Sequence, residues 1–161
     1  MRLISTKLIA FFLGVSLMII SSASAEINLS GCNLTGSSMN KCNLDGVNFT
    51  NSTLRNVNFQ MANLQKAIFR LSIMQGSDFR NANLMGTDLS SCDLSNCNFE
   101  GANLKGAIIS GSNLQGVNFK NANLEGMNIE STVWPNVICP DGTISNENNF
   151  TCKGHLKNIS E

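Results

Sequence analysis

Large apolar residues recur at every fifth position from Leu29 to Trp134. The series begins Leu29, Leu34, Met39, Leu44 and Phe49 and continues without an insertion; all 22 of its members are large and apolar, so chance does not account for it. Two residues before each centre stands a small residue, mostly Ala, Cys, Ser, Val or Thr, with Ile27 and Met127 as exceptions near the two ends. The position between them is Asn or Asp in 16 of the 22 units, and Gly or Asn follows two residues after the centre in 16. Five is neither the 3.6 period of a helix nor the 2 of a plain strand. Within one unit, however, the small and the large residue share a face, as on a short strand. The Gly or Asn then tolerates the positive φ of a corner and resets the alternation. A short strand and a corner, repeated, predict a coil whose interior takes one small and one large side chain per side.

A second period fixes the number of sides. Stepping by twenty aligns Asn43, Asn63, Asn83, Asn103 and Asn123, each followed by Leu, while another column holds Met39, Phe59, Phe79, Phe99 and Phe119. Four units per turn therefore sorts Leu from Phe, and like side chains stack along each column. The 22 units make about 5.5 coils. At a strand spacing of about 4.8 Å that is a rod roughly 25 Å long.

Runs such as Ala82-Asn83-Leu84-Met85-Gly86 and Ala102-Asn103-Leu104-Lys105-Gly106 carry a resemblance. They match the A-(D/N)-L-x-x pattern of pentapeptide-repeat proteins, and the match covers residues 27–136. The resemblance implies an all-β fold, a right-handed quadrilateral parallel β-helix, in other words a solenoid. It does not imply one function, because fold alone licenses none. Some members of the family protect DNA topoisomerases by imitating the shape and charge of a DNA duplex.

The first 25 residues read as an address. Arg2 and Lys7 precede an apolar run from Leu8 to Ile20, and Ser21-Ser22-Ala23-Ser24-Ala25 ends in an A-x-A cleavage pattern. This is the layout of a secretory signal peptide, with cleavage expected between Ala25 and Glu26. The apolar run is shorter than the roughly 20 residues that span a bilayer. The expected organisation is a signal peptide at 1–25, repeats at 26–136 and a cap or tail at 137–161. The expected location is exported, periplasmic or secreted.

Charge narrows the functional classes. The whole chain has 11 basic and 11 acidic residues; removing the first 25 residues leaves 9 basic against 11 acidic, a net charge of −2. A nucleic-acid binder needs a basic stripe, and a DNA mimic needs a strongly acidic rod; neither composition is present. One side is expected to carry Lys41, Asp78, Arg80, Glu100 and Lys120, and the next Asp45, Lys66, Lys105 and Glu125. Arg80, Glu100 and Lys120 fall in one column and read as a solvated ladder. A lone His155 in the tail and carboxylates scattered around the rod supply no catalytic set, so no enzymatic activity and no cofactor are expected.

The tail after Trp134-Pro135 breaks the period. Trp134 reads as a lid on the last coil, with Cys139 and Cys152 expected to form a disulfide that staples the non-repetitive loop. The competing assignment takes Cys139, Cys152 and His155 as metal ligands; it lacks a fourth ligand, so no metal is expected. Cys32, Cys42, Cys92 and Cys97 occupy the small inward position and read as packing. An apolar anomaly remains on the outside: Ile68, Ile73 and Ile108 replace Asn or Asp, and Leu71 stands at a corner. Ile68, Leu71 and Ile73 are expected close together around one corner of the third coil, and with Ile108 they are the candidate interaction patch; the alternative is drift on a partly covered strand face.

The reading is an exported, non-catalytic structural or protein-interaction scaffold, its protein partner unidentified and its state monomer or homodimer. The first alternative is a cytoplasmic DNA-mimic topoisomerase protector; the second is a module that binds a polar polymer such as a glycan through the Asn column. No nucleic-acid partner is expected, and no membrane span after cleavage.

Overall fold

The computed structural model describes residues 27–129, 131, 132, 134–145 and 152. Its backbone winds in stacked coils of twenty residues. Parallel bridges join Asn28 to Asn48, Asn33 to Thr53, Ser38 to Asn58 and Asn43 to Asn63, and the same register recurs up to the Asn118–Ile138 pair. Each coil thus has four sides, named here after their first centres: Leu29, Leu34, Met39 and Leu44. All 22 corner residues from Gly31 to Asn136 have positive φ, so the chain turns once in every unit.

The expectation of an all-β, right-handed parallel β-helix built from strands is not met. Among the described residues every pairing is an isolated bridge, and no strand or sheet forms. The physical reason lies in the length of the unit. With a corner in every five residues, each side contributes one bridging residue, and no run of consecutive ladder pairs develops. Coil-to-coil hydrogen bonds instead fall at intervals: the Phe79 amide donates to the Asn98 carbonyl at 2.7 Å, and the Asn98 amide to the Ser77 carbonyl at 3.0 Å.

The centres meet inside the coils. Phe59, Phe79, Phe99 and Phe119 stack along the Met39 side with ring centroids 4.7–5.3 Å apart. Phe49 and Phe69 stack at 4.9 Å on the Leu29 side and meet Phe59 and Phe79 edge-on. All six rings are fully buried. Offset stacks and edge-on contacts both suit the ring quadrupole, so the two columns support each other.

Inward serines solve a separate problem, since a buried hydroxyl needs partners. Ser77 Oγ donates to the Leu54 carbonyl at 2.6 Å and accepts the Val57 amide at 3.0 Å. Ser72 does the same with Phe49 and Ser52, and Ser112 with Leu89 and Cys92. Each hydroxyl joins its coil to the preceding one. Among the described residues no buried side-chain polar atom lacks a partner.

Corners alternate Gly with Asn along the Leu34 side: Gly36, Asn56, Gly76, Asn96, Gly116, Asn136. The Asn side chain lies over the next coil's Gly, as Asn81 does over Gly101 at another corner; a Cβ on Gly101 would stand 2.5 Å from Asn81 Oδ1. Around Gly106 a Cβ would meet nothing within 4 Å. Both glycines have nearly the same positive φ. Gly106→Ala is therefore expected to cost about 1–2 kcal/mol from conformation alone. Gly101→Ala should cost more, because it also displaces Asn81. Urea midpoints of the two variants check the ordering.

Candidate functional site

The C-terminal end of the stack is closed by a built device. The coil register continues one side past Asn136, with the Phe119 amide donating to the Ile138 carbonyl at 2.8 Å and the Asn121 amide to the Pro140 carbonyl at 2.9 Å. The chain then reverses, and Ile144 pairs antiparallel with Ile138. This return places Ser145, fully buried, where the small residue of another coil would stand. Its Oγ accepts the Val137 amide at 3.0 Å and donates to the Trp134 carbonyl. These are the two bonds that Ser77 makes to Val57 and Leu54. Trp134 is buried and tilted against Phe119 at 5.5 Å, and its indole N–H donates to Thr132 Oγ1. Cys139 and Cys152 are joined by a disulfide, both fully buried.

The four residues of the candidate patch sit in two places. Leu71 is 59% exposed at a corner with φ of 61°, in a column otherwise filled by Gly, Asn and Ser. Ile68 and Ile73 flank it in the same coil and are half-buried. Ile108 is exposed two coils away, separated from Ile68 by Asp88, which bridges to both. Ile68, Leu71 and Ile73 therefore share one corner, and Ile108 stands apart. Met61, at another corner, and Met85, one residue before the Gly86 corner, are further exposed apolar side chains.

Charges on the stack pair locally. The Arg80–Glu100–Lys120 ladder gives way to a contact within one unit, in which Arg80 donates to Asp78 at 2.7 Å. Lys105 pairs with Glu125 across one coil at 2.9 Å, and Arg70 lies 3.7 Å from Asp88. Burial works against the Asp78 charge. Hydrogen bonds from the Arg80 side chain and backbone and from Gln60, together with the Arg80 charge, outweigh it and hold the carboxyl below its ordinary value. A carboxyl depressed in the folded state stabilises above the unfolded value of about 3.9, and that contribution is lost as pH falls through the folded value. Asp78→Asn should cost about 0.2–1 kcal/mol at pH 7, the range of a solvent-screened pair. The gap from wild type should close as melting is repeated below about pH 4.

The Asn column is occupied with itself. Asn63 Nδ2 donates to Asn43 Oδ1 at 2.9 Å, Asn103 to Asn83 at 3.3 Å and Asn123 to Asn103 at 3.4 Å. Asn103 Oδ1 also accepts the Lys105 amide, and Asn123 Oδ1 the Glu125 amide. These side chains brace corners and each other, which leaves few groups for a polymer.

The four remaining cysteines form no disulfide. Cys92 and Cys97 are buried and take the place of the inward serines, with Cys92 Sγ 3.0 Å from the Phe69 carbonyl and Cys97 Sγ 2.9 Å from that of Met74. Burial pushes the Cys92 thiol up to about 12 and raises Cys97 as well, so neither is a nucleophile at neutral pH. Cys32 and Cys42 are half-buried in the first coil. His155, the expected signal peptide and its expected cleavage site at Ala25 and Glu26 lie outside the described residues. Among the described residues no group of three or more His, Cys, Asp or Glu could hold a metal ion, and no helix is long and apolar enough to cross a membrane.

Sequence reasoning missed Ser145. Its role depends on a reversal of the chain that follows no period, so no column reveals it.

Comparison with known proteins bears on this architecture. A pentapeptide repeat protein from the Arabidopsis thaliana thylakoid lumen is 30% identical, with a TM-score of 0.62 over 63% of this chain and 71% of that one. A pentapeptide repeat protein from the cyanobacterium Cyanothece 51142 is 24% identical, with a TM-score of 0.64 over 65% of this chain and 84% of that one. QnrB1, a plasmid-mediated fluoroquinolone resistance protein, is 20% identical over 71% of this chain and 74% of that one, with a TM-score of 0.49. No curated protein sequence matches the chain. The family profile described as pentapeptide repeats matches in eight copies over residues 32–70, 52–90, 62–101 and 92–133. With more than half of its length matched in this way, the chain belongs to the pentapeptide-repeat family.

Proposed function

We propose that this protein is an exported, non-catalytic interaction scaffold working outside the cytoplasm. The observation that carries this reading is the Cys139–Cys152 disulfide across the capped end. Bonds of this kind form and persist in oxidising compartments. The leader-like pattern of residues 1–25 supports the same conclusion, with Glu26 as the first residue of the mature chain, repeats to residue 136 and a stapled cap to residue 161. That a 30% identical member of the family comes from the thylakoid lumen accords with a role beyond a membrane. Leu71, with Ile68 and Ile73 beside it, is the apolar surface that a partner protein would meet.

The second reading, an intracellular topoisomerase protector, asks for a surface dense in unpaired acid. Asp78, Asp88 and Glu125 instead each lie against a basic side chain. The likeness to QnrB1 is at the level of the fold and adds nothing to this choice. A supercoiling assay separates the two readings. The purified chain should neither inhibit gyrase nor relieve its inhibition by a fluoroquinolone, and cell fractionation should find the chain outside the cytoplasm. Gyrase inhibition by a cytoplasmic chain would favour the second reading.

A further inference from the structure

The first coil uses its backbone differently from every later one. In the second coil the amides of Asn48, Thr53, Asn58 and Asn63 donate to the carbonyls of Ile27, Cys32, Ser37 and Cys42 at 2.9–3.0 Å. The carbonyls of the same four residues accept the amides of Leu29, Leu34, Met39 and Leu44 at 2.7–2.8 Å. Asn28, Asn33, Ser38 and Asn43 hold the equivalent positions in the first coil, and there both groups lack such a partner among the described residues. By the shared register, all of them face away from the second coil. Ile27 and Leu34 are half-buried at this rim, whereas their counterparts Val47 and Leu54 are fully buried.

We propose that this edge joins a second copy of the chain, first coil against first coil, once residues 1–25 are removed; the proposal rests on the export reading for that removal. Three features of the molecule select this occupant. An exposed row of amides and carbonyls is a template for pairing. A single extended peptide can follow only one of four sides before the corner turns away from it, so filling all four requires another coil end. The capped end of another copy cannot serve, because Ser145 already fills the position that a following coil would take.

The symmetry of the contact follows from the backbone. A two-fold axis perpendicular to the stack keeps the handedness but makes the facing coil circulate the opposite way, so the facing sides run antiparallel. In antiparallel pairs, directly opposed residues exchange both N–H···O bonds. Each of Asn28, Asn33, Ser38 and Asn43 offers both groups on the same side. With the axis through the Leu29 and Met39 sides, Asn28 meets its own copy, Ser38 its own copy, and Asn33 the copy of Asn43. The contact is isologous and closed, and the hairpin at the far end stops it from extending into a filament.

The experiment uses the chain beginning at Glu26, because every bond described here lies within residues 27–152 and none requires the leader. Light scattering should give twice the monomer mass. Ser38→Pro deletes an amide that no described bond uses, and should return the mass to that of one chain with an unchanged circular dichroism spectrum. Hydrogen exchange supplies a measurement that needs no variant: the amides of Asn28, Asn33, Ser38 and Asn43 should be protected in the chain beginning at Glu26. A monomeric wild type, a Ser38→Pro variant that stays dimeric, or unprotected edge amides would overturn the proposal. Because this chain is made directly from Glu26, its failure to dimerise leaves the export reading intact. A failed export reading would show in cell fractions and not in this mass.

Discussion

Phe79→Asp is expected to yield no cooperatively folded protein. The Phe79 ring is fully buried, stacked at 4.9 Å on Phe59 and 4.7 Å on Phe99, and edge-on to Phe69. A carboxylate there would face rings on both sides with no cation among the described buried residues, and burying an unpaired charge costs far more than a buried apolar group contributes. Truncation without charge gives a graded measure. Phe79→Ala should lose about 3–5 kcal/mol, a large part of the 5–15 kcal/mol that holds an ordinary domain together. Thermal melting followed by circular dichroism checks both. A Phe79→Asp variant that melts like the wild type would place the column outside the core.

The second large effect belongs to the cap. Replacing Cys139 and Cys152 together by Ser should cost about 3 kcal/mol, the loop-closure value for a bridge of this span. The loss should be local before it is global, because Ser145 and Trp134 hold the last coil from the same end. Exchange should therefore rise first at the amides of Phe119 and Val137, while those of the second and third coils stay protected. A reductant should lower the wild-type melting temperature toward that of the double variant and leave the variant unmoved. Equal melting of wild type and variant would show that the bridge does not hold the cap.

What was legible in the sequence depended on period. Phe59, Phe79, Phe99 and Phe119 stand twenty apart, and the bridges join residues twenty apart, so the interior could be read from columns alone. Gly or Asn at the corners was equally visible, but the alternation of Gly76, Asn96 and Gly116 along one column and the contact it encodes emerged only from coordinates. Secondary-structure class was misread from the same unit. Small and large residues two apart suggested strands, but positive φ at every fifth residue leaves one bridging residue per side. Side-chain pairing was only partly readable: Arg80 turns back to Asp78 in its own unit, a choice that column position does not reveal. Ser145 was invisible for a different reason, since a reversed chain obeys no repeat. The candidate patch fell between these cases. The corner shared by Ile68, Leu71 and Ile73 follows from the five-residue unit, while the isolation of Ile108 follows from Asp88, which occupies the same column in the intervening coil.

The most direct measurement is the intact mass of the native protein from separated cell fractions, taken with and without reductant after alkylation. The account predicts a chain that begins at Glu26, outside the cytoplasm, two hydrogens lighter than its fully reduced form. Buried Cys92 and Cys97 should escape alkylation until the chain is unfolded. A full-length, fully reduced chain in the cytoplasm would contradict the account and turn attention to the intracellular reading.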